Sequence, residues 1–148
     1  MKHKNKVFFI GMLIFAVCII ALSSGCSRTW KVQGVWQATG ITEGGVSVPL
    51  ESSFALYFCF TGNNIMYMAQ KIDGSLVRSG PMAYTVDGNK LITGGAEGGT
   101  FVIKGKTATL TSERKDHTGT TVKTVMTFTK VSSPTVKEIE KAKEVPFH

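Results

Sequence analysis

The feature that most constrains this chain is a period-two alternation of large apolar residues, clearest at Phe54, Leu56, Phe58 and Phe60, which Ala55, Tyr57 and Cys59 separate. Successive side chains of a strand point to opposite faces, so this run makes a strand with one wholly apolar face; its other face is mixed. Short runs rich in Val, Ile, Thr, Phe and Tyr recur from Trp30 to Val131, parted by Gly, Asn and Asp. That cadence predicts an all-β domain.

A first strand is expected over Gly34 to Thr39, followed by a glycine-containing loop from Gly40 to Pro49. Thr61-Gly62-Asn63-Asn64 is turn chemistry, Ile65 to Ile72 a strand, and Asp73-Gly74 a tight-turn dipeptide leading into Ser75 to Ser79. Met82, Tyr84 and Val86 share a face of the next run, and Leu91-Ile92 begins another after Asp87-Gly88-Asn89. The stretch Gly94 to Gly99 reads as a loop. Phe101 and Ile103 mark one further strand and Ala108 and Leu110 the next. After a polar loop from Arg114 to Gly119, Val122, Met126 and Phe128 mark the inner face of a long last strand.

Hairpin-joined strands of this kind are best stabilised by closure, which removes the unpaired edges that invite aggregation. The expectation is a small antiparallel up-and-down barrel of eight or nine strands spanning residues 34–131. Residues 132–148 read as a helical tail: Thr135-x-x-Glu138 fits a capping box, and Val136, Ile139, Ala142 and Val145 give a narrow apolar stripe expected to pack on the barrel. Phe54, Leu56, Phe58, Phe60, Met66, Met68, Tyr84, Phe101, Leu110, Met126 and Phe128 are the inward set. They line a pocket or fill a core, and period-two apolar residues are more commonly core. A barrel of few or short strands can be filled by its own side chains.

The first 25 residues have the layout of a cleaved secretory signal peptide: Lys2, Lys4 and Lys6, then 16 apolar-rich positions from Val7 to Leu22, then Ser23-Ser24-Gly25. The apolar run falls short of the roughly 20 residues a permanent transmembrane helix needs. Leu22-Ser23-Ser24-Gly25-Cys26 resembles the bacterial lipobox, with one departure, since Leu22 stands four residues before the cysteine and Ser23 holds the place three before. The resemblance implies diacylglycerol on Cys26, a lipidated linker over residues 26–33, and a protein anchored to the cell membrane or the outer membrane, facing the periplasm or exterior. Ser27 in the following position implies outer-membrane sorting if the cell has two membranes.

Three of the 17 lysines and arginines leave with the leader and all ten acidic residues stay, so the net charge falls from +7 to about +4. A mild excess spread along the chain is no signature of nucleic-acid binding, which calls for clustered basic residues. With Cys18 removed and Cys26 lipidated, Cys59 is the remaining thiol, and no intrachain disulfide can form.

At Gly34-Val35-Trp36 the chain resembles the Gly-x-Trp opening of the lipocalins. The cadence of Gly80-Pro81-Met82-Ala83-Tyr84, Gly88-Asn89-Lys90-Leu91 and Phe128-Thr129-Lys130 is similar to small bacterial lipocalin-like domains of lipoproteins. The resemblance implies that Trp36 closes the barrel floor and that a basic residue of the last strand, here Lys130, crosses its ring.

No cofactor, metal or catalytic arrangement is expected. His117 and His148 are far apart in sequence, the usual zinc spacings are absent, and there is no Gly-x-Ser-x-Gly elbow or phosphate-cradling loop. Cys59 alternates outward with no helix start or histidine to activate it. The reading is a non-catalytic, membrane-anchored module that binds another envelope or extracellular protein. The alternative is a carrier of a small apolar ligand held inside the barrel.

Overall fold

The computed structural model describes residues 31–93 and 96–146. The leader, Cys26, the Gly94-Gly95 pair and His148 lie outside the described residues. Eleven strands and a helix follow in order: β1 Gly34–Glu43, β2 Val46–Val48, β3 Phe54–Phe60, β4 Ile65–Ile72, β5 Ser75–Arg78, β6 Met82–Asp87, β7 Lys90–Thr93, β8 Ala96–Lys104, β9 Thr107–Lys115, β10 Thr121–Val131, α1 Val136–Lys141 and β11 Lys143–Glu144.

Antiparallel pairing runs β4-β3-β1-β10-β9-β8-β7-β6, and a further pairing of β6 with β4 closes the ring. The protein is therefore an eight-stranded antiparallel up-and-down barrel, with β2, β5 and β11 as additions to its wall. Alternating strand directions put the turns at 61–64, 87–90 and 104–107 at one end, where the chain also enters β1. The turns at 43–46, 72–75 and 115–121 lie at the other. We call these the closed and open ends.

β5 and β6 lie one after the other along β4, with Ala69 opposite Arg78 and Met66 opposite Met82. They act as one strand with an offset at Ser79-Gly80-Pro81. Ser79 keeps the ladder intact there: its backbone N–H donates to Met68 O at 2.8 Å and its buried hydroxyl accepts from Met68 N at 3.0 Å. Proline is accommodated because the strand bends at that point.

Two glycine-containing stretches expected as loops are strands. Over Gly40–Pro49, β1 continues to Glu43 and turns through Gly44-Gly45 into β2, pairing Ile41 with Val48. The outer edge of β1 passes from β3 to β2 near a bulge after Ala38, and Gly40 hides the continuing alternation. Over Gly94–Gly99, β8 already begins at Ala96. Gly99 has φ +129, and a Cβ there would lie 2.4 Å from the backbone oxygen of Thr111. Glycine at this position allows β8 to approach β9 too closely for a side chain.

Both faces of β3 are covered. Inward, Phe58 and Phe60 join the barrel core; outward, Tyr57 and Cys59 meet Val35, Ala69 and Ile139 of α1. The tail is thus a strap along the wall. Its helix opens on the expected capping box, with Thr135 N donating to Glu138 Oε2 at 2.6 Å and Glu138 N donating to Thr135 Oγ1 at 3.3 Å. The apolar stripe does not continue along one helix, however. Ala142 is the C-cap and Val145 lies past β11, which pairs in parallel with β5. An unpaired edge of β5 is a stronger demand than two more helical residues, and the tail meets it with Val145 N donating to Arg78 O at 2.9 Å.

Arg78 fastens the strap. Its guanidinium donates to Glu144 Oε2 at 2.8 Å and to Glu140 O at 3.2 Å, and its Cζ sits 4.9 Å from the centroid of the Tyr67 ring.

Candidate functional site

The candidate site is the barrel interior and its open mouth. Inward positions alternate as the sequence pattern requires, but their environments change along the barrel axis. Near the closed end Trp36, Phe60, Tyr84, Leu91 and Phe128 are at most 1 % exposed. Their rings interlock: Trp36 meets Phe101 edge-on at 5.9 Å, Phe60 lies 5.1 Å from Tyr84 and 5.7 Å from Phe101, and Phe58 lies 5.0 Å from Phe128. Tilted and edge-to-face arrangements of this kind are the favoured ones between aromatic quadrupoles.

The Gly-x-Trp segment sets up this floor. Gly34 has φ +115, which favours glycine, and a Cβ on it would fall 2.8 Å from Lys130 Cε. Without that Cβ the Lys130 stem crosses the floor, bringing its Nζ to 5.3 Å from the Trp36 ring centroid. The indole N–H of Trp36 donates to Val32 O at 2.7 Å, so its polar atom is satisfied although the residue is wholly buried. Tyr84 is handled likewise: its hydroxyl donates to Thr61 O at 3.0 Å, and burial pushes its pKa up.

Partly exposed inward side chains flank this buried layer at both ends: Leu56, Met68 and Met126 toward the open end, and Val86 and Ile103 beside the closed-end turns. Register places Ile41 opposite Met126, Gln70 opposite Leu56, and Ser112 opposite Thr124 on the same inner face, so the apolar layer is ringed by short polar groups. Above them Arg114 of β9 reaches across β10 to form an ion pair with Glu43 of β1. The open end thus presents the partly exposed Leu56, Met68 and Met126 on its inner wall, with a charged pair to one side. Around the mouth stand exposed apolar side chains: Val46 and Val48 on β2, which pairs only with β1 among the described residues, and Ile72 at the end of β4.

Most of the expected inward set meets in this interior. Phe58, Phe60, Met66, Tyr84, Phe101, Leu110 and Phe128 are buried in one cluster with Trp36, and Leu56, Met68 and Met126 pack against it. Phe54 does not join them. It is half-buried at the rim and borders a surface cleft of about 330 Å³ with Ser52, Ser53, Lys71 and Asp73. Val32, Ala38, Leu91 and Ala108 also belong to the cluster, Val32 from the helical residues just ahead of β1. The Arg114–Glu43 pair carries no sequence signal, because it depends on strand register across three strands.

Cys59 lies outside the barrel wall under α1, wholly buried, and burial with the nearby Glu140 pushes its thiol up to about 12. It is protonated at neutral pH and has no nucleophilic character. Among the described residues no group of three or more His, Cys, Asp or Glu is placed to hold a metal ion. His117 stands in the β9–β10 turn, where Asp116 accepts from Thr118 N at 2.8 Å and Thr120 N at 3.0 Å. These bonds hold the Asp116 carboxyl below its ordinary range, the Thr118 hydroxyl contributing most. That is turn chemistry.

The fold and site together define an eight-stranded antiparallel β-barrel whose interior is largely filled by its own aromatic and aliphatic side chains. No protein-family model matches the chain, and no curated protein matches it. Among solved structures it is similar to aphrodisin, a sex pheromone from female hamster. The likeness has a TM-score of 0.40 and 16% identity, over 72% of this chain and 80% of that one.

Proposed function

We propose that the protein is a lipocalin-like lipoprotein, anchored through Cys26, that binds a partner protein without catalysis through the open end of its barrel. One observation carries the reading: of the four exposed large apolar side chains among the described residues, Val46, Val48 and Ile72 stand at that end, Val46 being 70 % exposed and Ile72 46 %, and only Val102 lies elsewhere. Exposed apolar side chains gathered at one place mark contact surfaces more often than scattered ones do. Much of the interior is occupied by buried rings, which argues against a large internal ligand.

The partial exposure of the inward methionines favours a second reading, in which a small apolar ligand seats its end on Met68 and Met126. Flexible thioethers suit such irregular contacts. Photo-crosslinking from position 46 in intact cells, set against titration of the purified protein with fluorescent fatty acids, separates the two. A specific protein adduct without saturable fatty-acid binding supports the first. Tight one-to-one binding of the probe, abolished by Met126→Lys and unaffected by Val46→Lys, reverses the order.

A further inference from the structure

The barrel's charge is not spread evenly over its two ends. The closed-end turns and strand ends carry Lys90, Lys104, Lys106 and Lys130 against Asp87 alone, and the remaining turn positions are uncharged Asn, Gly and Thr. Lys104 and Lys106 flank Gly105 at the exposed tip of the β8–β9 hairpin, and Lys130 N donates to Lys106 O at 2.8 Å, which holds that hairpin beside the end of β10. The open end carries both signs: Glu43, Glu51, Asp73, Glu113 and Asp116 stand with Lys71, Arg114, Lys115 and Lys123. The strap is balanced too, with Lys137, Lys141 and Lys143 against Glu138, Glu140 and Glu144. A basic excess is therefore confined to the end where the chain enters β1.

We infer that the closed end is a docking face for anionic phospholipid headgroups, which holds the barrel upright with its open end away from the membrane. This rests on the anchored reading of Cys26. Between Cys26 and Val32 an extended chain spans at most about 20 Å, so a lipid on Cys26 keeps the closed end close to the bilayer. Screening in physiological salt acts over about 8 Å, hence the lysines act only once the tether has brought them near. Lysines held near an anionic leaflet are attracted to it. The tether supplies proximity and the lysines supply orientation.

The test uses the lipid-anchored protein on vesicles of phosphatidylcholine alone or with about 30 % phosphatidylglycerol, an anionic content chosen to give a negative surface potential. A fluorophore is placed on Asn89→Cys at the closed end or Ser52→Cys at the open end, and its quenching by a headgroup-located nitroxide lipid is read. Cys59 is buried and stays unlabelled. Quenching at position 89 should rise about threefold on anionic vesicles, as expected for electrostatic attraction of basic side chains, and position 52 should not change. About 0.5 M salt or Lys104→Glu with Lys106→Glu should abolish the rise. Equal quenching at the two positions, or a closed-end signal indifferent to the glutamates, overturns the inference. Protein that leaves phosphatidylcholine vesicles on gel filtration refutes the anchor instead; the same labels are then read with anionic vesicles in excess, where the absence of selective quenching at position 89 also overturns the docking face.

Discussion

The two faces of β3 are both dry, yet they are buried by different means. Its inward face, Phe58 and Phe60, meets side chains from strands all around the barrel, among them Trp36, Tyr84, Phe101 and Phe128. Its outward face, Tyr57 and Cys59, is covered by Ile139 and Val136 of a single short helix, on a strap held by a capping box, a two-residue strand and Arg78. Equal burial thus coexists with unequal redundancy. The inner core cannot open without breaking the barrel, whereas the outer cover can lift as a local unit with the barrel closed beneath it.

The largest test of that difference is Trp36→Ala. Removing a buried large aromatic side chain costs about 3–5 kcal/mol, and urea denaturation followed by near-ultraviolet circular dichroism should show one cooperative transition moved to lower urea. A loss under about 1 kcal/mol would mean that the floor is dispensable, and the contrast between the faces would collapse. Ile139→Ala should cost less, about 2 kcal/mol, the lower end for a buried aliphatic truncation, because the strap can open without the barrel. Its sharper mark is chemical. Cys59 should become accessible to a maleimide well below the urea concentration that unfolds the barrel, while Trp36→Ala should expose Cys59 only at global unfolding.

Gly34→Ala probes the inner face from the backbone. The residue must adopt φ +115 and displace the Lys130 stem, and strain of this kind costs about 1–3 kcal/mol. If Lys130 contributes only packing over Trp36, Lys130→Met should be nearly neutral, and denaturation of the two variants side by side separates strain from the cation–ring contact.

How far the sequence reveals each face follows from the same contrast. The inner face is written as period two, so Phe58, Phe60, Phe101, Leu110 and Phe128 are readable from local alternation, and closure follows from the unpaired edges of a meander. Phe54 keeps the parity but ends at the rim, because alternation says which face a residue takes and not how far along the axis the core extends. Glycines mislead in the other direction: Gly40 and Gly99 look like loop residues but mark a strand that continues past a bulge and a close approach of β8 to β9. The strap's capping box is local and readable, while its second half is set by the open edge of β5, a partner some 65 positions away in the chain. The exposed mouth has no periodic signature at all, and the Arg114–Glu43 pair exists only through register.

Thr135→Ala removes the side chain that accepts the Glu138 N–H at the start of α1 and should cost about 1 kcal/mol, the usual effect of losing an N-cap. Maleimide labelling of Cys59 should quicken while the barrel's urea midpoint barely moves. A midpoint shift as large as that of Trp36→Ala would show that strap and barrel unfold as one unit.

The smallest expected effect is one of pH, and it separates the faces most cleanly because the inner cluster contains no carboxylate. Glu138 accepts from the Thr135 backbone N–H and hydroxyl, and these bonds, with a lesser contribution from Lys71, hold its carboxyl below the ordinary value of 4.5. A depressed folded-state pKa means that the unfolded strap binds a proton more readily than the folded one. The stabilisation is therefore fully present above the unfolded value and is lost as pH falls from about 4.5 through the lower folded value. Amide hydrogen exchange should show the protection of Ile139 and Val145, whose N–H groups bond to Thr135 O and Arg78 O, falling in that window. The amides of β3 paired with β1 should stay protected. Glu138→Gln, which can still accept from Thr135 but does not titrate, should flatten the Ile139 response. An unchanged profile in that variant would show that the Glu138 carboxyl is not the group whose protonation loosens the strap.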